Sequence, residues 1–235
     1  IKSGRIFTSF HVDGWNDFNI KGWLNNMFNV PVYVDNDANA AALAEAKLGC
    51  GKNYNRVFYI TLGSGVGGGF IIDGEIYHGK YLCESEFGHI RINKSGDTIE
   101  SSCSGWALNK KLIEYIEDKP DGILSNLVKI KGNDPSKCML EAIKNGDFKA
   151  KVIFDEMLDN LAFGLSHVIH ILNPDIIIIG GGLSLIGEYV TDSVSKKLPQ
   201  YLMSSMKNNL PEIRIARLKE DVVPIGAILL SKAKV

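Results

Sequence analysis

Three stretches of this chain carry residue types and spacings that could move a phosphoryl group. Asn36-Asp37 sets an amide and a carboxylate at the start of an Ala-rich run. A carboxylate there could take the proton of an attacking hydroxyl. Further on, Thr61-Leu62-Gly63-Ser64-Gly65-Val66-Gly67-Gly68-Gly69 follows an apolar strand pattern. Its unhindered N–H groups could wrap phosphate oxygens. Gly180-Gly181-Gly182 follows Ile176 to Ile179, at the carboxyl end of a strand, where α/β sheets hold ligands. Each stretch also has a plainer reading. Asn36 or Asp37 is the natural N-cap of its helix. The first glycines could form a bulge at a sheet corner, and the second set could serve tight packing alone.

Gly63-x-Gly65-x-x-Gly68 formally matches the dinucleotide fingerprint. That fingerprint must open a helix, because the pyrophosphate sits on the helix N-terminus. Here it runs instead into Gly69-Phe70-Ile71-Ile72, the Asp73-Gly74 turn and Glu75-Ile76-Tyr77, a β-hairpin signal. The context excludes a Rossmann unit and leaves a glycine-rich hairpin. After it, Glu84, Glu86 and His89 form a polar group in which Gly88 permits close backbone approach. His89 has no Cys or His cluster nearby at zinc spacing. Glu100 precedes Ser101-Ser102-Cys103-Ser104-Gly105, where serines can cap the next helix.

The elements that must position these residues follow from period and punctuation. Trp23, Leu24, Met27 and Phe28 predict a short amphipathic helix after Ile20 that Pro31 ends. Val30 to Val34 reads as a buried strand and Asp37 to Leu48 as a helix stopped by Gly49. Strands are expected over Val57 to Leu62, Phe87 to Ile92, Ile176 to Ile179 and Ile213 to Ala216. Helices are expected over Ser104 to Ile116, from Asp134-Pro135 to Gly146, over Lys149 to Leu172 and Leu183 to Leu198, and after Pro224. Residues 118 to 135 read as mixed loop and short helix. The alternation of buried strands and long helices predicts an α/β fold with helices covering a sheet.

Composition excludes several classes. The 235 residues carry a net charge of −1, with 45% hydrophobic residues and mean hydropathy of +0.01. This balance gives no broad attraction to nucleic acid or an anionic membrane. No apolar run is long enough to span a bilayer, and the N-terminus lacks a signal-peptide layout. Cys50, Cys83, Cys103 and Cys138 are scattered, which points to cytosolic thiols rather than a disulfide framework. The chain opens on Ile1 with strand-like Arg5-Ile6-Phe7, so we expect it to enter in mid-fold.

Taken together, these segments resemble the ROK family (repressors, open reading frames and sugar kinases) of the actin/hexokinase/Hsp70 superfold. The likeness runs through nearly the whole chain. Val34-Asp35-Asn36-Asp37-Ala38-Asn39-Ala40-Ala41 is similar to the family's Asn-Asp sugar and catalytic segment, and Thr61 to Gly69 to its second phosphate motif. Glu86-Phe87-Gly88-His89 resembles its Gly-Glu-x-Gly-His sugar motif, Asp175 through Ser184 the adenosine-side strand and glycine turn, and Val223-Pro224-Ile225-Gly226-Ala227 the closing helix. The resemblance implies an actin-like ATPase (ribonuclease H-like) α/β fold. Residues 1–36 would be a remnant of the small N-terminal lobe, 37–223 the large C-terminal lobe, and 224–235 a closing helix returning to the small lobe.

The resemblance further implies an ATP-dependent kinase of a hexose or N-acetylhexosamine, glucokinase-like or N-acetylmannosamine-kinase-like, working with Mg²⁺ in the cytoplasm as a homodimer. By that likeness Asn36, Asp37, Glu86, His89 and Glu100 hold sugar hydroxyls, and Asp37 is the general base. Gly63, Ser64, Gly65 and Gly67 hold the transferring phosphate, with Gly180, Gly181 and Gly182 on the nucleotide. Three departures stand out. No Cys lies between His89 and Glu100, so no structural zinc is expected and Glu100's place rests on register. Ser85 stands where the family has Gly. The family's Asp-x-Gly-Gly-Thr phosphate loop is not in this sequence, and we expect it in residues upstream. The alternative is the sugar-sensing domain of a ROK repressor, for which a basic helix-turn-helix would stand upstream instead; otherwise neither nucleic acid nor membrane is an expected partner.

Overall fold

The computed structural model describes residues 4–6, 13–80 and 83–232. In chain order its elements are α1 (Ile20–Phe28), α2 (Asp37–Leu48), β1 (Arg56–Leu62), β2 (Val66–Ile72), β3 (Glu75–Ile76), α3 (Ile99–Cys103), α4 (Gly105–Asp118), α5 (Ile123–Lys131), α6 (Pro135–Lys144), α7 (Phe148–Leu172), β4 (Ile176–Gly180), α8 (Glu188–Lys197), β5 (Glu212–Ile215) and α9 (Val222–Lys232). Within the described residues the strands form one sheet in the order β3-β2-β1-β4-β5. The β1–β2 and β2–β3 pairs are antiparallel, while β1–β4 and β4–β5 are parallel. No helix among the described residues is long and apolar enough to cross a membrane.

The two-residue period of a strand splits the core into two layers. Phe58, Ile60, Leu62, Ile177 and Ile179 face a core built with α3 to α8, including Ile99, Leu112, Leu124, Met139, Phe154 and Val190. Val57, Tyr59, Ile176 and Ile178 face the other way, under α2 and α9. A strand covered on both faces has no polar side, which is why β4 reads Ile-Ile-Ile-Ile.

Helix α2 is rich in Ala because it lies very close to β2. A Cβ on Gly69 would sit 2.8 Å from both the Ala38 carbonyl oxygen and the Ala42 Cβ. Near the far end of α2, Glu45 is fully buried. Its Oε1 accepts the Leu218 N–H at 2.7 Å and its Oε2 the Cys50 N–H at 2.9 Å, tying the helix end to the β5–α9 connection. Burial first, then the Glu45 charge, pushes the Cys50 thiol up to about 12, so it stays protonated. Glu45→Ala leaves two part-buried N–H groups without their acceptor and should cost about 2 kcal/mol, read as a lowered denaturant midpoint; an unchanged midpoint would refute this account.

Three expectations differ from the structure. Val30 to Val34 pairs with no strand among the described residues, and Val30 is 50% exposed. Pro31 has no N–H for a ladder, and neither sheet edge, β3 or β5, adopts the segment as a neighbour. Phe87 to Ile92 is a 3-10 turn over Phe87–His89 followed by an isolated Arg91–Thr98 bridge. Ser85 at φ +59° reverses the chain, and Gly88 packs so closely on β2 that a Cβ there would lie 2.2 Å from the Val66 carbonyl oxygen. The Leu183 to Leu198 helix is broken by Gly187 at φ +77° into a 3-10 turn, Gly182–Ile186, and α8. Helix α1 forms as expected but has no buried residue, and Trp23, Met27 and Phe28 remain exposed. The Arg5-Ile6-Phe7 strand is represented by an Ile6–Phe18 bridge; Phe7 lies outside the described residues, as do residues 233–235, over which the closing helix is expected to run on. The remaining helices and strands fall within a few residues of expectation, and Asp73 (φ +52°) with Gly74 (φ +81°) makes the hairpin turn.

Candidate active site

Strands β1 and β2 are joined by Gly63 to Gly65, and that turn is clipped down on one side. The Gly63 N–H donates to the Gly65 carbonyl at 3.0 Å, and the Gly105 N–H donates to the Gly63 carbonyl at 2.7 Å. The Val66 N–H donates to Glu100 Oε2 at 2.8 Å. A Cβ on Gly65 would stand 2.6 Å from that same carboxylate oxygen. Glu100, held at the start of α3 by the Thr98–Ser101 capping box, thus sits behind the hairpin. Gly67 packs against Ala38 and the Thr61 methyl. Gly63 and exposed Ser64 line a cavity of about 660 Å³, together with Leu62, Trp106, Asn109, Lys137 and Gly182.

The turn after β4 divides in the same way. Gly180 is covered by Tyr59, whose hydroxyl would lie 2.1 Å from a Cβ there. Burial first, then Glu45, pushes Tyr59 up to about 12, so its hydroxyl stays neutral. Gly181, at φ +81°, presses on the Leu62 backbone, and its carbonyl accepts the Ser184 hydroxyl at 2.6 Å. Gly182 has no heavy atom within 4 Å of its would-be Cβ. It lines both the large cavity and a second one of about 310 Å³ whose wall includes Asp37, Thr61, Gly181 and Lys219. The two cavities adjoin at Gly182 and Leu185.

The cap question resolves between neighbours. Asn36, in an extended conformation, is the N-cap of α2: its Oδ1 accepts the Ala38 N–H at 2.8 Å and the Asn39 N–H at 3.4 Å. Asp37 is the first helical residue, with Oδ1 accepting the Ala38 N–H at 2.8 Å and its side chain exposed. Glu86 and His89 are exposed, flanking the buried Phe87-Gly88 anchor, and are not in the walls of these two cavities. One cleft therefore collects Asp37, Gly63, Ser64, Gly181 and Gly182. The turns bearing Asn36-Asp37 and Glu86–His89 both pack on β2, through Gly69 and Gly88.

Trp106, Asn109 and Lys137 escaped the sequence reading because they sit on α4 and α6, whose patterns read as ordinary surface helices. The one available signal was Trp106 at a helix start beside Gly105, where it is 66% exposed. Among the described residues, no group of three His, Cys, Asp or Glu side chains is placed to hold a metal ion.

Comparisons with known proteins bear on this cleft. The sequence profile described as ROK family matches residues 1–234. The N-acetyl-D-glucosamine kinase of Yersinia enterocolitica is 31% identical over 239 residues, covering 98% of this chain and 76% of the relative. The xylose repressor of Caldicellulosiruptor bescii is 27% identical over 224 residues, covering 92% of this chain and 56% of the repressor. The crystal structure of a ROK family glucokinase from Streptomyces griseus, in complex with glucose and AMPPNP, matches with a TM-score of 0.85 and 29% identity, covering 99% of this chain and 78% of that chain.

Proposed function

This chain belongs to the ROK family, and we propose that it is an ATP-dependent sugar kinase acting on a hydroxyl of a hexose or N-acetylhexosamine. Its α/β fold is the actin-like ATPase fold of the family's kinases. The observation that carries the proposal is the shared cleft, in which the Asp37 carboxylate adjoins a cavity lined by Ser64 and the open Gly182.

The larger cavity, at about 660 Å³, is within the usual size of a nucleotide-sized pocket, roughly 300–1,000 Å³. Its lining suits ATP. Trp106 and Leu185 offer apolar surface to a base, Asn109 and Lys137 offer polar groups, and Ser64 and Gly182 leave room for phosphate oxygens. Mg²⁺ would enter as the counter-ion of ATP, neutralising charge on its phosphates. The sugar would lie between the Asn36-Asp37 turn and the Glu86–His89 turn. In the transfer, the sugar oxygen bonds to the γ-phosphorus as the bond from that phosphorus to the β,γ-bridging oxygen breaks. The hydroxyl proton goes to Asp37, and ADP leaves. Backbone and hydroxyl donors at Ser64 would stabilise charge on the moving phosphoryl group. Its ATP supply places such a reaction in the cytoplasm.

The repressor match gives a second reading, a sugar sensor without transfer. ADP release by the full-length protein, measured against a panel of hexoses and N-acetylhexosamines, separates the two. We expect at least one sugar to stimulate release many-fold, and ATP to quench Trp106 fluorescence. Sugar binding without stimulated release would favour the sensor.

A further inference from the structure

Between α2 and the turn carrying Glu86 lies a polar group that the transfer chemistry does not use. His78, just after β3, has both ring nitrogens against carboxylates. Nδ1 is 2.9 Å from Glu84 Oε1 and Nε2 is 3.3 Å from Asp35 Oδ2. Asn39 spans the same pair, donating from Nδ2 to Asp35 Oδ1 at 3.0 Å and to Glu84 Oε1 at 3.3 Å. Asp35 Oδ1 also accepts the Asn36 N–H at 2.8 Å, and Glu84 Oε2 accepts the Gly79 N–H at 3.0 Å.

The donor count has a consequence. A neutral imidazole has one N–H, so a ring facing two carboxylates completes both bonds only as imidazolium. Asn39 is 4% exposed and its Oδ1 has no partner. Turning the amide over would set that oxygen against two carboxylates, so the carboxylates fix its orientation. Burial pushes the Glu84 carboxyl up, but hydrogen bonds from His78, from the Glu84 and Gly79 N–H groups and from Asn39 outweigh it and hold it below its ordinary value. Lys47 on α2, Glu75 on β3 and Lys232 on α9 line the neighbouring depression; none of them is ion-paired to His78 among the described residues.

The two carboxylates belong to the two turns that would hold the sugar: Asp35 precedes Asn36-Asp37, and Glu84 stands just before Glu86–His89. We propose that His78 is a positioning residue whose imidazolium, bridging Asp35 and Glu84, fixes these two turns against each other and so sets the width of the sugar site. The proposal rests on the kinase reading above. It predicts a sugar-side effect from a residue that touches neither sugar nor nucleotide.

The test uses the full-length protein and the best sugar from the panel. His78→Gln should raise the sugar KM about tenfold and leave the ATP KM within about twofold. Glu84→Gln, which changes no volume, should give the same split, so the comparison survives a folding defect at position 78. Equal changes in both KM values, or a lowered melting temperature with an unchanged sugar KM, would overturn the proposal. A ¹H–¹⁵N spectrum of the histidine rings supplies an arm independent of catalysis: two protonated nitrogens on His78 support the bridge, and a single one refutes it. If no sugar is phosphorylated, the kinase reading falls while the ring spectrum still decides the bridge.

Discussion

Asp37→Asn is expected to lower kcat for sugar phosphorylation about 10³-fold, the usual contribution of a positioned general base. The substitution isolates proton acceptance unusually well. Asn keeps an oxygen for the Ala38 N–H that Asp37 now accepts at 2.8 Å, and the helix cap belongs to Asn36, which is untouched. Folding stability should therefore stay within about 1 kcal/mol. Because the lost interaction forms only as the proton moves, kcat and kcat/KM should fall together while both KM values change little. Asn36→Ala is the contrasting control: it removes a cap worth about 1 kcal/mol and would lower the melting temperature as well as activity. Steady-state ADP release with saturating sugar and ATP, alongside a melting curve, makes the measurement. A variant of Asp37→Asn retaining a tenth or more of wild-type kcat would remove Asp37 from the role of base.

Strands β1 and β4 were legible in the sequence as short unbroken apolar runs, α2 from the helix propensity of its Ala-rich run before Gly49, and α7 from one long run stopped by Asn173-Pro174. The β2–β3 hairpin was legible because Asp73 and Gly74 are residues that tolerate positive φ. Val30 to Val34 was misread for the converse reason: a strand is a property of a pair, and local propensity does not supply the neighbour. The break at Gly187 looks in sequence like one more glycine in a polar helix, and only its φ of +77° shows the stop. At the site, residue type located Asn36-Asp37 and the two glycine clusters as groups. It could not say which glycine faces a cavity and which lies under a neighbour, since that depends on Tyr59 and Leu62 arriving from β1. His78 was invisible for the same reason, because one of its two partners, Asp35, lies on the far side of the β1–β2–β3 segment.

Gly181→Ala and Gly182→Ala, adjacent in sequence, are expected to fail in opposite ways. Gly181 sits at φ +81° and ψ 178°, a region essentially reserved for glycine, where another residue costs about 1–3 kcal/mol in backbone strain. A Cβ there would also lie 2.6 Å from the Leu62 carbonyl carbon and oxygen, so the end of β1 must move. The sum should reach several kcal/mol, a large share of the roughly 5–15 kcal/mol that holds a domain folded, and the melting temperature should fall with it. A Cβ built on Gly182 would meet no heavy atom within 4 Å beyond its chain neighbours. Its replacement by Ala should leave stability unchanged or slightly raised, because Ala loses less chain entropy on folding. The methyl would instead project where the two cavities meet. If the phosphates of ATP cross that point, KM for ATP should rise about tenfold or more, equivalent to about 1.4 kcal/mol of lost binding, with sugar KM little changed. Calorimetry and ATP titration on the two variants separate a packing glycine from a ligand-facing one. Wild-type ATP affinity in Gly182→Ala would mean that the phosphates run elsewhere and that this turn, like Gly180 beneath Tyr59, serves the fold alone.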